Sequence, residues 1–150
     1  LFLFVGGGPG EESLRSDVEA SNLRNVRFLP SQPSDLLSQS LGAGDLHLVT
    51  MKEGMSGLVV PSKFYGVMAA GRPCLFVGPA KSEVGEFLTM HATGCIIRPG
   101  DAGALVSAII SYRNDPESLR VIGERAMASV REEDSRSLFV EVARKVMTNR

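Results

Sequence analysis

The chain has 150 residues, enough for one domain with a real core. Its 16 Lys and Arg against 17 Asp and Glu leave a net charge of −1, which excludes a protein held on nucleic acid by bulk charge. Hydrophobic residues at 43% and charged residues at 22% exclude disorder, and no apolar stretch reaches the roughly 18 to 20 residues of a membrane-spanning helix. Leu1 opens inside an apolar run without an initiator Met, so the chain reads as a piece of a longer protein, and a signal peptide stays open.

Short apolar runs alternate with helical patterns. Leu1–Val5 predicts a strand that ends at the glycines of Gly6–Gly10, and Glu11–Asn22 predicts a helix with acidic residues in its first turn, where they suit the helix dipole. Val26–Leu29 is the second run, and Pro33–Leu41 a short helix opened by Pro33 or Ser34. Leu46–Val49 is the third run, followed by a polar loop. Ser62–Ala70 predicts a helix stopped by Gly71, with Pro73 just beyond. Cys74–Val77, the helix Ser82–His91 and Cys95–Ile97 follow, then helical segments over Ala102–Tyr112, Pro116–Arg131 and Asp134–Thr148.

The runs lack strict alternation, which predicts strands buried on both faces. The fold class expected is therefore α/β, a Rossmann-like, doubly wound parallel sheet flanked by helices, with neither a linker nor a second domain. Cys74 and Cys95 lie in apolar runs without metal-ligand spacing and read as buried, reduced thiols of a cytosolic protein.

Ligands of such folds sit outside the carboxyl ends of the strands, so the loops after each run carry the interest. The first, GGGPGEE, lacks the third glycine of a G-x-G-x-x-G run and the Lys-Ser/Thr pair of a P-loop, and Glu11 and Glu12 would repel a phosphate. It reads better as a tight turn. The segment Thr50–Pro61 is long for a connection in a compact α/β unit, as functional loops tend to be, and holds Glu53 and Gly57.

It leads into Pro61-Ser62-Lys63. Ser62 is an N-cap candidate, whereas Lys63 sits against the helix dipole at a cost of roughly 0.3–1 kcal/mol. Either an anion such as a nucleotide diphosphate is addressed by the helix amides and Lys63 together, or Lys63 is a tolerated, solvated lysine. Both readings stay open.

Phe64, Val67 and Met68 form a core stripe; Tyr65 either packs with them, the commoner fate, or faces the cleft. His47 and His91 have no catalytic neighbour at close spacing and read as structural. Glu83 and Glu86, behind Ser82, read as first-turn acids that complement the dipole; Glu117 and Glu124 belong to solvated helix faces.

Pro61–Pro73, PSKFYGVMAAGRP, resembles the donor-site helix of the group 1 retaining glycosyltransferases of the GT-B architecture. Phe4–Pro9 is similar to that family's strand and Gly-x-Gly-Pro turn, and Asn25–Pro30 (NVRFLP) to the run lying against the nucleotide base. Gly44–Val49 is similar to the strand that follows, and Ser82–Asp101 to a Glu-Val pair leading to a Pro-Gly-Asp turn.

The resemblance implies the C-terminal, nucleotide-sugar-binding domain, residues 1–150, of a two-domain enzyme. That enzyme would transfer a sugar from a UDP- or GDP-linked donor to a hydroxyl in polysaccharide biosynthesis, retaining the anomeric configuration, with no metal and no cofactor. It implies Val60, Ser62 and Lys63 at the donor diphosphate, Leu29, Pro30 and Gly66 at the nucleoside, and Glu53 and Gly57 in a loop near the donor. No catalytic residue is assigned.

Two departures stand out. The family glutamate that holds the ribose falls at Gly66, and an earlier acidic partner at Leu58. The family's phosphate-clamping Arg and Lys, and its acceptor domain, would precede Leu1. The piece alone is then expected to be inactive. The missing domain would be the natural partner, and a cytoplasmic location is expected, with that domain free to rest on the inner face of a membrane. Two other functions remain open: a nucleotide-sugar 2-epimerase of the same architecture, and a degenerate, non-catalytic nucleotide-binding subunit.

Overall fold

The computed structural model of the chain describes residues 1–55 and 62–132. The predicted helix at Asp134–Thr148 lies outside the described residues. The chain divides into two compact units, Leu1–Ser40 and Leu41–Arg150.

In the first unit, β1 (Phe2–Val5) and β2 (Val26–Leu29) pair in parallel, with Phe4 opposite Phe28. Helix α1 (Glu11–Ala20) connects them. Its Arg15 lies over the Phe28 ring, 4.2 Å from the centroid, and ion-pairs with Glu11 at 2.7 Å. The Phe4 and Phe28 rings stack with centroids 5.2 Å apart. A 3-10 turn (Ser34–Leu36) follows, leading into α2 (Leu37–Gly42), whose last residues belong to the second unit.

In the second unit, β3 (His47–Thr50), β4 (Cys74–Val77) and β5 (Gly94–Ile97) form a parallel sheet in the order β3-β4-β5. Helix α3 (Ser62–Ala69) precedes β4, and α4 (Glu83–His91) precedes β5. Helices α5 (Ala102–Asn114) and α6 (Pro116–Glu132) follow. The core joins Val49, Phe64, Val67, Met68, Cys74, Phe76, Val84, Phe87, Leu88 and Ala126. Burying side chains of this size stabilises by roughly 1.5–3 kcal/mol each.

Two glycines bring elements together that a Cβ would hold apart. A Cβ on Gly94 would stand 2.0 Å from the Cys74 carbonyl oxygen, and one on Gly85 2.3 Å from the Ala80 carbonyl oxygen. Gly71, at φ +66, ends α3 as its position in the sequence predicts.

The parallel strands flanked by helices agree with the expected class. Among the described strands burial on both faces holds only for β4, whose first three residues are all buried, whereas three of the four residues of β1 are exposed. Continuous apolar character therefore marks a strand here without telling whether both of its faces are covered. Cys74 is buried as expected, but Cys95 is only half-buried, and both are free thiols. Among the described residues no helix is long and apolar enough to cross a membrane.

Candidate functional site

In the second unit the three strands end side by side. The Met51 amide donates to the Val77 carbonyl at 2.9 Å, and the Gly78 amide to the Ile97 carbonyl at 3.1 Å. The loops after β3, β4 and β5 therefore leave from one edge, where α3, α4 and α5 begin. Helix N-termini carry N–H groups without intrahelical partners and a partial positive charge, which favour anions and polar groups near them.

The loop after β3 makes a tight turn, with Met55 donating to the Lys52 carbonyl and Gly54 at φ +82, which presents Glu53 exposed at the turn. Gly57 and Val60 lie outside the described residues. Helix α3 spans Ser62–Ala69, and the cap expected at Ser62 borders residues outside those described. Lys63 is exposed in that first turn.

Gly66 stands one turn further, where a Cβ would lie 3.0 Å from Leu41 Cδ1. The position at which the resemblance implies a glutamate is thus narrowed by a leucine. Tyr65 is half-buried, edge-on to Phe64 at 5.3 Å and Phe87 at 5.9 Å, and its hydroxyl donates to Glu83 Oε1 at 2.5 Å. Neither of the alternatives weighed for Tyr65 named this partner, which is 18 residues away in sequence.

The loop after β4 is held from within. Ser82, 3% exposed, donates to the Pro79 carbonyl at 2.7 Å and accepts from the Gly85 amide at 3.2 Å, capping α4. After β5, Gly100 at φ +86 turns the chain so that Asp101 accepts from the Ala104 amide and caps α5.

At the opposite end of the sheet, His47 and Arg72 both address the end of α2. His47 Nε2 donates to the Leu41 carbonyl at 2.8 Å and Arg72 donates to the Gly42 carbonyl. Burial holds His47 below its usual pKa, against the Leu41 hydrogen bond that raises it, and the Arg72 charge lowers it further. His47 is thus a structural residue, as read. On α6, Arg120 pairs with Glu117 and Glu124 on an exposed face, also as read.

In the first unit, Leu29 ends β2, its carbonyl accepting from the Gly6 amide at 3.0 Å. Exposed Pro30 follows, its carbonyl accepting from Gln32 Nε2 at 2.9 Å. A Cβ on Gly7 would meet Glu11 Oε2 at 2.9 Å, so the Glu11 carboxylate covers the loop where an anion would approach. This supports the tight-turn reading of GGGPG.

The family model described as glycosyl transferases group 1 matches residues 1–115. The chain belongs to the group 1 glycosyl transferases. This group 1 chain is 30% identical over 141 residues to the putative colanic acid biosynthesis glycosyl transferase WcaI of Escherichia coli (strain K12), covering 93% of this chain and 35% of that protein. It is 33% identical over 108 residues to the probable glycosyltransferase WbjE of Pseudomonas aeruginosa, covering 72% of this chain and 27% of the relative. The chain thus spans about a third of the length of these curated relatives.

Two solved structures share the fold of this group 1 chain. Sucrose-phosphate synthase of Thermosynechococcus elongatus superposes with a TM-score of 0.75 at 21% identity, covering 99% of this chain and 39% of its own. Anabaena HepE, solved in complex with UDP-glucose, gives 0.74 at 20% identity, covering 97% and 40%. Both neighbours are GT-B proteins, which agrees with the architecture expected from Pro61–Pro73.

Proposed function

We propose that this chain is the donor-binding part of a glycosyltransferase that moves a sugar from a nucleoside-diphosphate sugar to a hydroxyl in surface-polysaccharide assembly. The proposed reaction retains the anomeric configuration and needs neither metal nor cofactor, and it takes place in the cytoplasm. The observation that carries this reading is the first turn of α3. It lies at the carboxyl edge of the sheet and offers amides without intrahelical partners and the Lys63 ammonium together.

Breaking the sugar–phosphate bond places negative charge on the departing diphosphate. Oriented amides and one ammonium stabilise that charge without reorganising as it develops. The proposal assigns the diphosphate to Val60, Ser62 and Lys63 and the nucleoside to Gly66, all in the second unit; in the first unit it assigns the nucleoside contacts of the sequence pattern to Leu29 and Pro30. Glu53 and Gly57 are assigned to the loop beside the donor. The UDP-glucose bound by HepE and the colanic acid role in the WcaI name support the donor class and the pathway class.

The test is binding of a nucleoside diphosphate and of its nucleoside to the wild-type chain and to Lys63→Glu. Loss of diphosphate affinity with nucleoside affinity unchanged supports the assignment. Equal diphosphate affinity in the two proteins removes Lys63 from the site. Product analysis with the full-length protein separates transfer from epimerisation, since an epimerase releases free epimerised sugar.

A further inference from the structure

Glu83 opens α4 directly after a loop that cannot easily move. Ser82 ties that loop to the Pro79 carbonyl and the Gly85 amide, and Gly85 packs against the Ala80 carbonyl oxygen where no side chain would fit. From α3, the Tyr65 hydroxyl reaches across to Glu83 Oε1 at 2.5 Å. The Tyr65 ring is itself set between Phe64 and Phe87, both buried. An exposed carboxylate is thus fixed from both sides, by its own helix start and by a tyrosine in the first turn of the neighbouring helix.

A first-turn glutamate suits the helix dipole wherever its carboxylate points. The dipole therefore does not account for a tyrosine reaching from α3 to fix its direction. An ionised carboxylate has about four acceptor positions, and Tyr65 takes one. Among the described residues no other donor bonds to Glu83, which leaves the rest for hydroxyl donors arriving at the edge where α3 and α4 begin. Helix α3 supplies no such acceptor, because Ser62–Ala69 contains no acidic residue and Leu41 narrows the space at Gly66.

We propose that Glu83, held by Tyr65, accepts the hydroxyls of a vicinal diol on the donor, and that Tyr65 is its positioning residue. This rests on the donor-site reading above. The diol belongs either to the ribose of the nucleotide or to the transferred sugar. The two share the same chemistry and are separated by experiment.

The experiment titrates the chain, its Glu83→Gln variant and its Tyr65→Phe variant with UDP, UDP-glucose, GDP and GDP-mannose, alongside thermal melts. Glutamine keeps the size and an acceptor oxygen but removes the charge, and a hydrogen bond to a charged acceptor corresponds to roughly 10- to 100-fold in affinity. A loss of that size in Glu83→Gln on both the diphosphate and its sugar conjugate assigns the ribose; a loss on the conjugate alone assigns the sugar. Tyr65→Phe, which keeps the ring packing, loses affinity in wild-type background but not in Glu83→Gln background, a dependence that a purely structural staple would not produce.

Wild-type affinity of Glu83→Gln for every probe that the wild-type chain binds overturns the proposal and leaves the donor site standing. Binding of no probe by the wild-type chain overturns the donor-site reading, and this proposal with it. If Glu83→Gln fails to fold, Tyr65→Phe decides: undiminished binding in that variant overturns the proposal.

Discussion

Gly123 on α6 lies directly against Gly71 at the end of α3: a Cβ on Gly123 would stand 2.2 Å from the Gly71 carbonyl oxygen. The close approach lets Ala126 and Ser129 of the same helix bury fully. It also holds α3, which carries Lys63 and Tyr65, against the body of the unit. Gly123→Ala must push the helix off its partner, and the cost is about 1–3 kcal/mol by analogy with overpacked cores. Urea denaturation reads this as a lower midpoint with unchanged slope; an unchanged midpoint would mean that the contact is slack.

Ser82 fixes the start of α4. Its hydroxyl satisfies one carbonyl and one amide while 3% exposed, so Ser82→Ala leaves two groups short of a partner. A loss of about 1–2 kcal/mol is expected from the cap. Amide exchange at Gly85 should accelerate in parallel, whereas uniform protection across α4 in the variant would show that the cap contributes little.

His47 gives the fold a pH dependence with a definite sign. Its folded pKa lies below the unfolded value of about 6.5, mainly because burial disfavours the charged ring. The unfolded chain therefore binds the proton more readily. The stability contributed by neutral His47 is full above the unfolded pKa and falls as pH drops below about 6.5, until the folded pKa is passed. Urea melts between pH 7.5 and 5 should show this slope, and His47→Gln, which keeps a donor for the Leu41 carbonyl, should flatten it. An equal slope in the variant would assign the effect to other groups.

Cys74 is fully buried, and its thiol is pushed up to about 12 by desolvation, outweighing a backbone hydrogen bond that lowers it. The thiolate is the reactive form, so Cys74 should resist alkylation at neutral pH until the chain unfolds. Mass spectrometry after a maleimide pulse, with and without urea, checks this. Rapid native labelling of Cys74 would contradict the packing described.

Elements with local causes were legible in the sequence. The run Cys74–Val77 matches β4 to the residue, the helix expected over Ser82–His91 differs only in that Ser82 caps it, and Gly71 stops α3, because each signal lies within a few residues. What was not legible depends on parts of the chain that meet only after folding. An apolar run such as Leu1–Val5 does not say how its faces are covered, and β1 is largely exposed. Glu83 looked like an ordinary first-turn acid because its partner Tyr65 belongs to another helix. The Leu41 side chain beside Gly66 was hidden for the same reason, since it comes from α2. The resemblance at Pro61–Pro73 agrees with the family shown because its residues are contiguous, whereas the Tyr65–Glu83 contact joins residues of two helices.

The proposed donor site has the carboxyl edge of the second unit binding a nucleoside diphosphate through the first turn of α3. An amide NMR titration of the chain with UDP, then GDP, then ADP tests it most directly. Saturable shifts at Lys63–Gly66 and at the start of α4 are expected for one nucleotide, lost in Lys63→Glu. Shifts absent from these turns with all three nucleotides, or identical in Lys63→Glu, would contradict it.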